Sequence, residues 1–135
     1  MPTFNDPIAD AAEAQQALRG LAHATRSIDD PRQLYPVLRS LSAATLSLSQ
    51  SLHQLAAFHD VPAQKRARVT GDDRAERAAP HQVSWELHRT GEILRQVAAS
   101  LDRAHEVEAS IAYNTNADPL MRQPPRPTPN QGLSL

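Results

Sequence analysis

Leu34, Leu38, Leu41, Thr45, Leu48, Leu52, Leu55 and His59 follow one another at spacings that alternate between three and four. Such a pattern returns to one helical face every seven residues. It predicts a long helix that packs lengthwise against another helix, in the manner of a coiled coil. A second row, Val37, Ala44, Ser51 and Phe58, widens the apolar face, so that two neighbouring helices could be served at once. From Ser40 to Phe58 there is no Asp, Glu, Lys or Arg across 19 residues. The same stretch holds five Ser, two Gln, Thr45 and His53. A spanning helix needs about 20 predominantly apolar residues. The expectation is therefore a water-shielded helix in a bundle, with no membrane contact.

Two further segments share the period. The first helix is placed from Pro7 to about Ile28, with Asp6 as its N-cap and Pro7 at its first position. Its stripe is Ala11, Ala14, Leu18, Leu21, Thr25 and Ile28. Asp29-Asp30-Pro31 is a turn and a second helix start, with Asp30 able to cap and Pro31 able to open the first turn. Pro36 leaves two alternatives. Either the first turn bends there, or the regular helix begins near Leu34 and runs to about His59. A third helix is expected from His81 to about Tyr113, on the stripe Val83, Leu87, Thr90, Leu94, Val97, Leu101, Ala104, Glu108 and Ile111. Pro62, Gly71 and Pro80 punctuate residues 60–80, which read as a long exposed loop with room for a short helical turn. Residues 114–135 contain five prolines and little apolar material, and are expected to be a disordered tail.

The fold class predicted is all-α. Residues 1–113 form an up-down-up antiparallel three-helix bundle with coiled-coil-like packing, followed by the Pro-rich tail. Composition agrees: the chain is 40% hydrophobic but only 4% aromatic, and strands draw on aromatic and β-branched residues. In that topology Phe4, Phe58 and Trp85 fall at one end and Tyr35 and Tyr113 at the other. At 1.5 Å per residue the third helix spans about 50 Å and the first about 33 Å. The excess of the third helix has nothing in the chain to cover it.

Several chemistries are disfavoured. There is no cysteine, which removes disulfides and thiolate sites. A di-iron bundle needs Glu-x-x-His on two helices with two further Glu, and the nearest match, Asp102-x-x-His105, occurs once and flanks the predicted stripe. His59, on the stripe, is read as a helix-end residue. Ser40, Ser42, Ser47, Ser49 and Ser51 lie on the second helix without a Gly-x-Ser-x-Gly elbow, and are read as small side chains that let helices approach. No phosphate loop or dinucleotide fingerprint is present. No enzyme activity, metal or cofactor is expected. Secreted helical hairpins that carry Trp-x-Gly in their turn are also a poor match, since Trp85 is followed by Glu86 and Leu87.

The net charge is −1, so no overall field draws the chain to nucleic acid. Lys65, Arg66 and Arg68 form one basic cluster, opposed by Asp72, Asp73 and Glu76, and no aromatic residue accompanies it to stack on bases. Pro124-Pro125-Arg126-Pro127 has the look of a short polyproline ligand, though in such a tail solubility accounts for it. The opening Met1-Pro2-Thr3-Phe4-Asn5-Asp6-Pro7 lacks a basic region followed by an apolar run, and a cytoplasmic setting is expected.

Phe4-Asn5-Asp6-Pro7-Ile8-Ala9-Asp10-Ala11-Ala12-Glu13-Ala14, continuing through Ala17-Leu18-Arg19-Gly20-Leu21-Ala22-His23-Ala24-Thr25-Arg26, resembles the start of small helical proteins of actinobacteria. Those proteins are arginine-rich and are associated with integrative and conjugative elements. The resemblance covers about the first quarter of the chain and carries no assigned activity, so no functional residue is carried over. It implies a bacterial cytoplasm and a place near DNA-transfer machinery. The function expected from the residues is a protein-protein interaction module that works as an adaptor and pairs with itself, as a dimer, through Leu94, Leu101 and Ile111 on the third helix and Leu48 and Leu52 on the second. The alternative is an accessory DNA-binding or regulatory protein of a mobile element, acting through Lys65, Arg66 and Arg68.

Overall fold

The computed structural model describes residues 1–60 and 73–113. Among these the fold is all-α, with no strand. Helix α1 spans Pro7–Ala24, a 3-10 turn spans Pro31–Gln33, α2 spans Leu34–Phe58, and α3 spans Asp73–Ala109. No helix among the described residues is long and apolar enough to cross a membrane. The tail and the Lys65, Arg66 and Arg68 cluster lie outside the described residues.

Helix α1 starts where capping chemistry places it. The Asp6 carboxylate accepts from the backbone N–H of Ile8 and of Ala9, both at 3.1 Å, and Pro7 takes a position whose N–H would have no partner. The residues before it fold back, with the Thr3 and Phe4 N–H groups donating to Asp10. Phe4 adopts φ 64°, the left-handed region that this reversal requires. The helix ends at Ala24, short of the predicted Ile28. Beyond Thr25 the bonds tighten into turns, Arg26 N–H to the His23 carbonyl and Ser27 N–H to that of Ala24. Thr25, Ser27 and Asp29 are weak helix formers, and α1 has little tertiary packing to override them. It buries no residue. Leu18 is half exposed, and only the last turns of α1 approach α2, across an apolar groove lined by Ala17, Leu18, Leu21, Val37, Leu41 and Ala44. The predicted third layer is thus not packed along its length.

Of the two readings of Pro36, the second holds. The Asp30 side chain caps the 3-10 turn through the Arg32 N–H at 2.9 Å, and the α-helix proper begins at Leu34. Pro36 then sits in the first turn, where a missing N–H costs no helical bond. At the other end His59 is the C-cap, as its position suggested.

Helix α3 corrects the predicted loop. Residues 73–80 are helical, and Pro80 lies inside the helix. A proline there forfeits one backbone bond, but its ring is buried. It falls seven residues before Leu87, on the row that faces α2. The helix ends at Ala109 instead of Tyr113, closing through Ser110 and Ile111 N–H bonds to the carbonyls of Val107 and Glu108.

Helices α2 and α3 form an antiparallel hairpin that holds most of the tertiary packing. Tyr35 stacks on His105 with centroids 3.9 Å apart, Ser42 reaches Ala98, Ser49 reaches Gly91, His53 meets His88, and Asp60 meets Ser84. Positions rise along α2 as they fall along α3, which fixes direction and register. Tyr35 and Tyr113 line one cavity at the same end, as expected of the aromatics.

Candidate functional site

The hairpin seam is built from small residues. Ser42, Ser49 and Ala56 on α2 recur every seven residues and are buried, as are Ser84, Gly91 and Ala98 on α3. Ala56 is 0% exposed and Ala98 1%. Small side chains at each repeat let two backbones come close, and each buried hydroxyl then finds a partner across the seam. The Ser49 hydroxyl donates to the Gly91 carbonyl at 2.7 Å. The Ser42 hydroxyl donates to Asp102 and lies 3.4 Å from the Ala98 carbonyl. The Ser84 hydroxyl donates to Asp60 at 2.9 Å. This satisfies polar groups that would otherwise be costly to bury. Between the small residues, Leu38, Thr45, Leu52 and His59 on α2 and Leu87, Leu94, Leu101 and Glu108 on α3 are partly buried.

The two flanks of the seam differ in chemistry. One is polar. His53 and His88 meet there with their Nδ1 atoms 2.7 Å apart, so one ring donates to the other. The His53 Nε2 lies 3.3 Å from a Glu92 carboxylate oxygen, and the His88 Nε2 lies 3.8 Å from Asp60. Neither approach makes a good hydrogen bond, and the His53 Nε2 is a buried atom without one. The His53 ring lies over Gly91, where a Cβ would stand 2.7 Å from Nε2. The result is a linear chain, Glu92, His53, His88, Asp60, Ser84. It is not a nucleophile triad, because the carboxylate stands between serine and histidine and the imidazole cannot take the serine proton. Among the described residues no three His, Asp or Glu side chains converge to hold a metal ion.

The other flank is apolar. By the repeat it carries Leu41, Leu48 and Leu55, with Phe58 beside them, from α2, and Val83, Val97 and Ile93 from α3. Helix α1 reaches only its Val37–Ala44 end. Leu48 is 47% exposed, Leu55 55% and Phe58 61%; Val83, Ile93 and Val97 are likewise exposed.

The residues expected to meet a partner separate on this map. Leu48 lies on the exposed apolar edge. Leu52, Leu94 and Leu101 sit in the seam, half buried between α2 and α3. Ile111 is exposed just past the end of α3, beside the cavity that Pro31, Tyr35, Glu108 and Tyr113 also line. There the Tyr113 hydroxyl donates to Glu108, and the carboxylate holds the phenol above its ordinary pKa. His105, read as flanking the stripe, is on the seam against Tyr35. His53, His88 and Gly91 were not singled out as site residues. The one signal for them was the seven-residue recurrence of small residues, which marks the true seam and puts both histidines on the same flank.

Comparison of the chain with protein-family models, with curated proteins and with solved structures returned no match.

Proposed function

We propose that the chain is a non-enzymatic helical interaction module that pairs with a second copy of itself through the apolar edge of the α2–α3 hairpin. One observation carries this: Leu48, Leu55 and Phe58 on α2 and Val83, Ile93 and Val97 on α3 share one flank and remain substantially exposed. An exposed apolar flank on a small domain marks an interaction surface, and here only Glu86 and Thr90 interrupt its α3 side. The occupant is argued from symmetry and charge. The flank consists of two antiparallel apolar rows, so a two-fold rotation matches it to itself and gives a four-helix arrangement. Helix α2 carries no charged residue from Ser40 to Phe58, so nothing on that row selects a charged partner. Fully burying one such side chain is worth about 1.5–3 kcal/mol. Several half-exposed ones together are comparable to the cost of association, about 4–15 kcal/mol, which favours a reversible dimer. In this reading the module acts as an adaptor in a bacterial cytoplasm.

Sedimentation equilibrium of the full chain tests it. A dimer that persists as salt is raised, and that becomes a monomer of unchanged helicity in the Leu48→Glu, Leu55→Glu double variant, supports the proposal. A wild-type chain that stays monomeric at every concentration overturns it.

A further inference from the structure

The polar flank holds an arrangement that packing alone does not require. Two histidines from different helices face each other through Nδ1 at 2.7 Å, and each has a carboxylate on its far side. A contact that short needs one proton between the two nitrogens. If both rings are neutral, the ring that donates from Nδ1 has a bare Nε2 turned toward its carboxylate, lone pair against negative charge. Adding one proton to the pair removes that conflict: both Nε2 atoms then carry hydrogen toward Glu92 and Asp60, and one Nδ1–H still bridges the rings. A second proton on the pair puts two N–H groups head to head, which nothing between them can relieve.

We propose that His53 and His88, backed by Glu92 and Asp60, form a one-proton clamp that closes this flank of the hairpin and opens it when a second proton binds. The groups facing the pair come from both elements. On α3 Glu92 faces His53, and beyond the end of α2 Asp60 faces His88 while accepting from Ser84. His81, Arg95 and Asp102 continue the same row of α3, and Asp102 is already engaged by Ser42. The seam cannot relax around a repelled pair without loss, because the His53 ring rests on Gly91 and the Ser49 hydroxyl is bonded to the Gly91 carbonyl. The sign follows from proton counts. In the unfolded chain each imidazole takes its proton independently, near the ordinary value of about 6.5. The folded geometry has one place for a proton between the two rings and none for a second, so binding of the second costs the hairpin stability as pH falls.

The test uses the full chain in two measurements. Long-range 1H–15N spectra follow both imidazoles through a pH titration. The clamp predicts two separated steps for His53 and His88 in the wild type, and a single step for His53 in His88→Gln. Thermal melts across the same range add the structural readout. The wild-type melting temperature should fall as the second proton binds, and that fall should be largely absent in His88→Gln and His53→Gln. Rings that titrate together in one step, indifferent to replacement of the partner, overturn the clamp, as does an identical acid response in wild type and variants. If a variant fails to fold, the wild-type titration alone decides between one step and two.

Discussion

The ring of His53 rests on the Cα of Gly91: a methyl group added there would stand 2.7 Å from Nε2 and 2.9 Å from Cδ2. Glycine in mid-helix normally costs about 1 kcal/mol relative to alanine. At this position its lack of a side chain is what admits an imidazole between two closely packed helices.

Gly91→Ala should therefore destabilise the hairpin, the overpacking cost of about 1–3 kcal/mol exceeding the propensity gain. In a His53→Ala background the same change should become stabilising by about 0.5–1 kcal/mol. A double-mutant cycle by urea denaturation checks the reversal of sign. Gly20 supplies the control. Nothing lies within 4 Å of where its Cβ would be, so Gly20→Ala should simply favour α1, and helicity by circular dichroism should not fall.

Ser49 and Leu48 are adjacent and should respond in opposite senses to a hydrophobicity argument. Ser49 is buried in the seam with its hydroxyl on the Gly91 carbonyl, while Leu48 is 47% exposed. Ser49→Leu should cost about 1–3 kcal/mol by forcing the helices apart. Leu48→Ala should cost less than about 1 kcal/mol of monomer stability and weaken self-association instead. Denaturation of each variant at low protein concentration separates the two effects.

This pair also explains what the sequence revealed. The helical class, the start of α1 at Asp6-Pro7, the reach of α2 and half of each seam were legible. The row of Leu38, Thr45, Leu52 and His59 and the row of Leu87, Leu94, Leu101 and Glu108 both lie on the seam. The other half was displaced by one residue on both helices. Leu34, Leu41, Leu48 and Leu55 were read in place of Tyr35, Ser42, Ser49 and Ala56, and Val83, Thr90, Val97 and Ala104 in place of Ser84, Gly91, Ala98 and His105. A stripe chosen by hydrophobicity takes leucine over serine and valine over glycine. Close helix approach rewards the small residue and leaves the large one on the flank. The same displacement hid the polar flank, since His53 and His88 gain meaning only once Ser49 and Gly91 define the seam. Pro80 misled for a different reason: a buried ring on the seam offsets the backbone bond it forfeits.

Acid should act on the 3-10 turn before α2 independently of the histidines. Arg32 donates to the Asp30 carboxylate through its guanidinium and its backbone N–H, and holds it below the ordinary value of 3.8. A carboxyl whose folded value is depressed adds stability above its unfolded value, and that stability is lost as pH falls through the folded one. The Arg32 amide resonance should therefore stay constant down to about pH 4 and move below it. In Asp30→Asn, which keeps a capping side chain, that movement should disappear.

The central claim, that the apolar flank is where two copies meet, is tested most directly by a single engineered thiol, since the chain has no cysteine of its own. Leu55→Cys places it on the flank. Gln54→Cys places it one residue away, on the face of α2 turned from the seam. Under mild oxidation the Leu55→Cys chain should form a covalent dimer rapidly and the Gln54→Cys chain should not, as read by non-reducing electrophoresis. Equal cross-linking of the two, or none at Leu55→Cys, would contradict pairing through this edge.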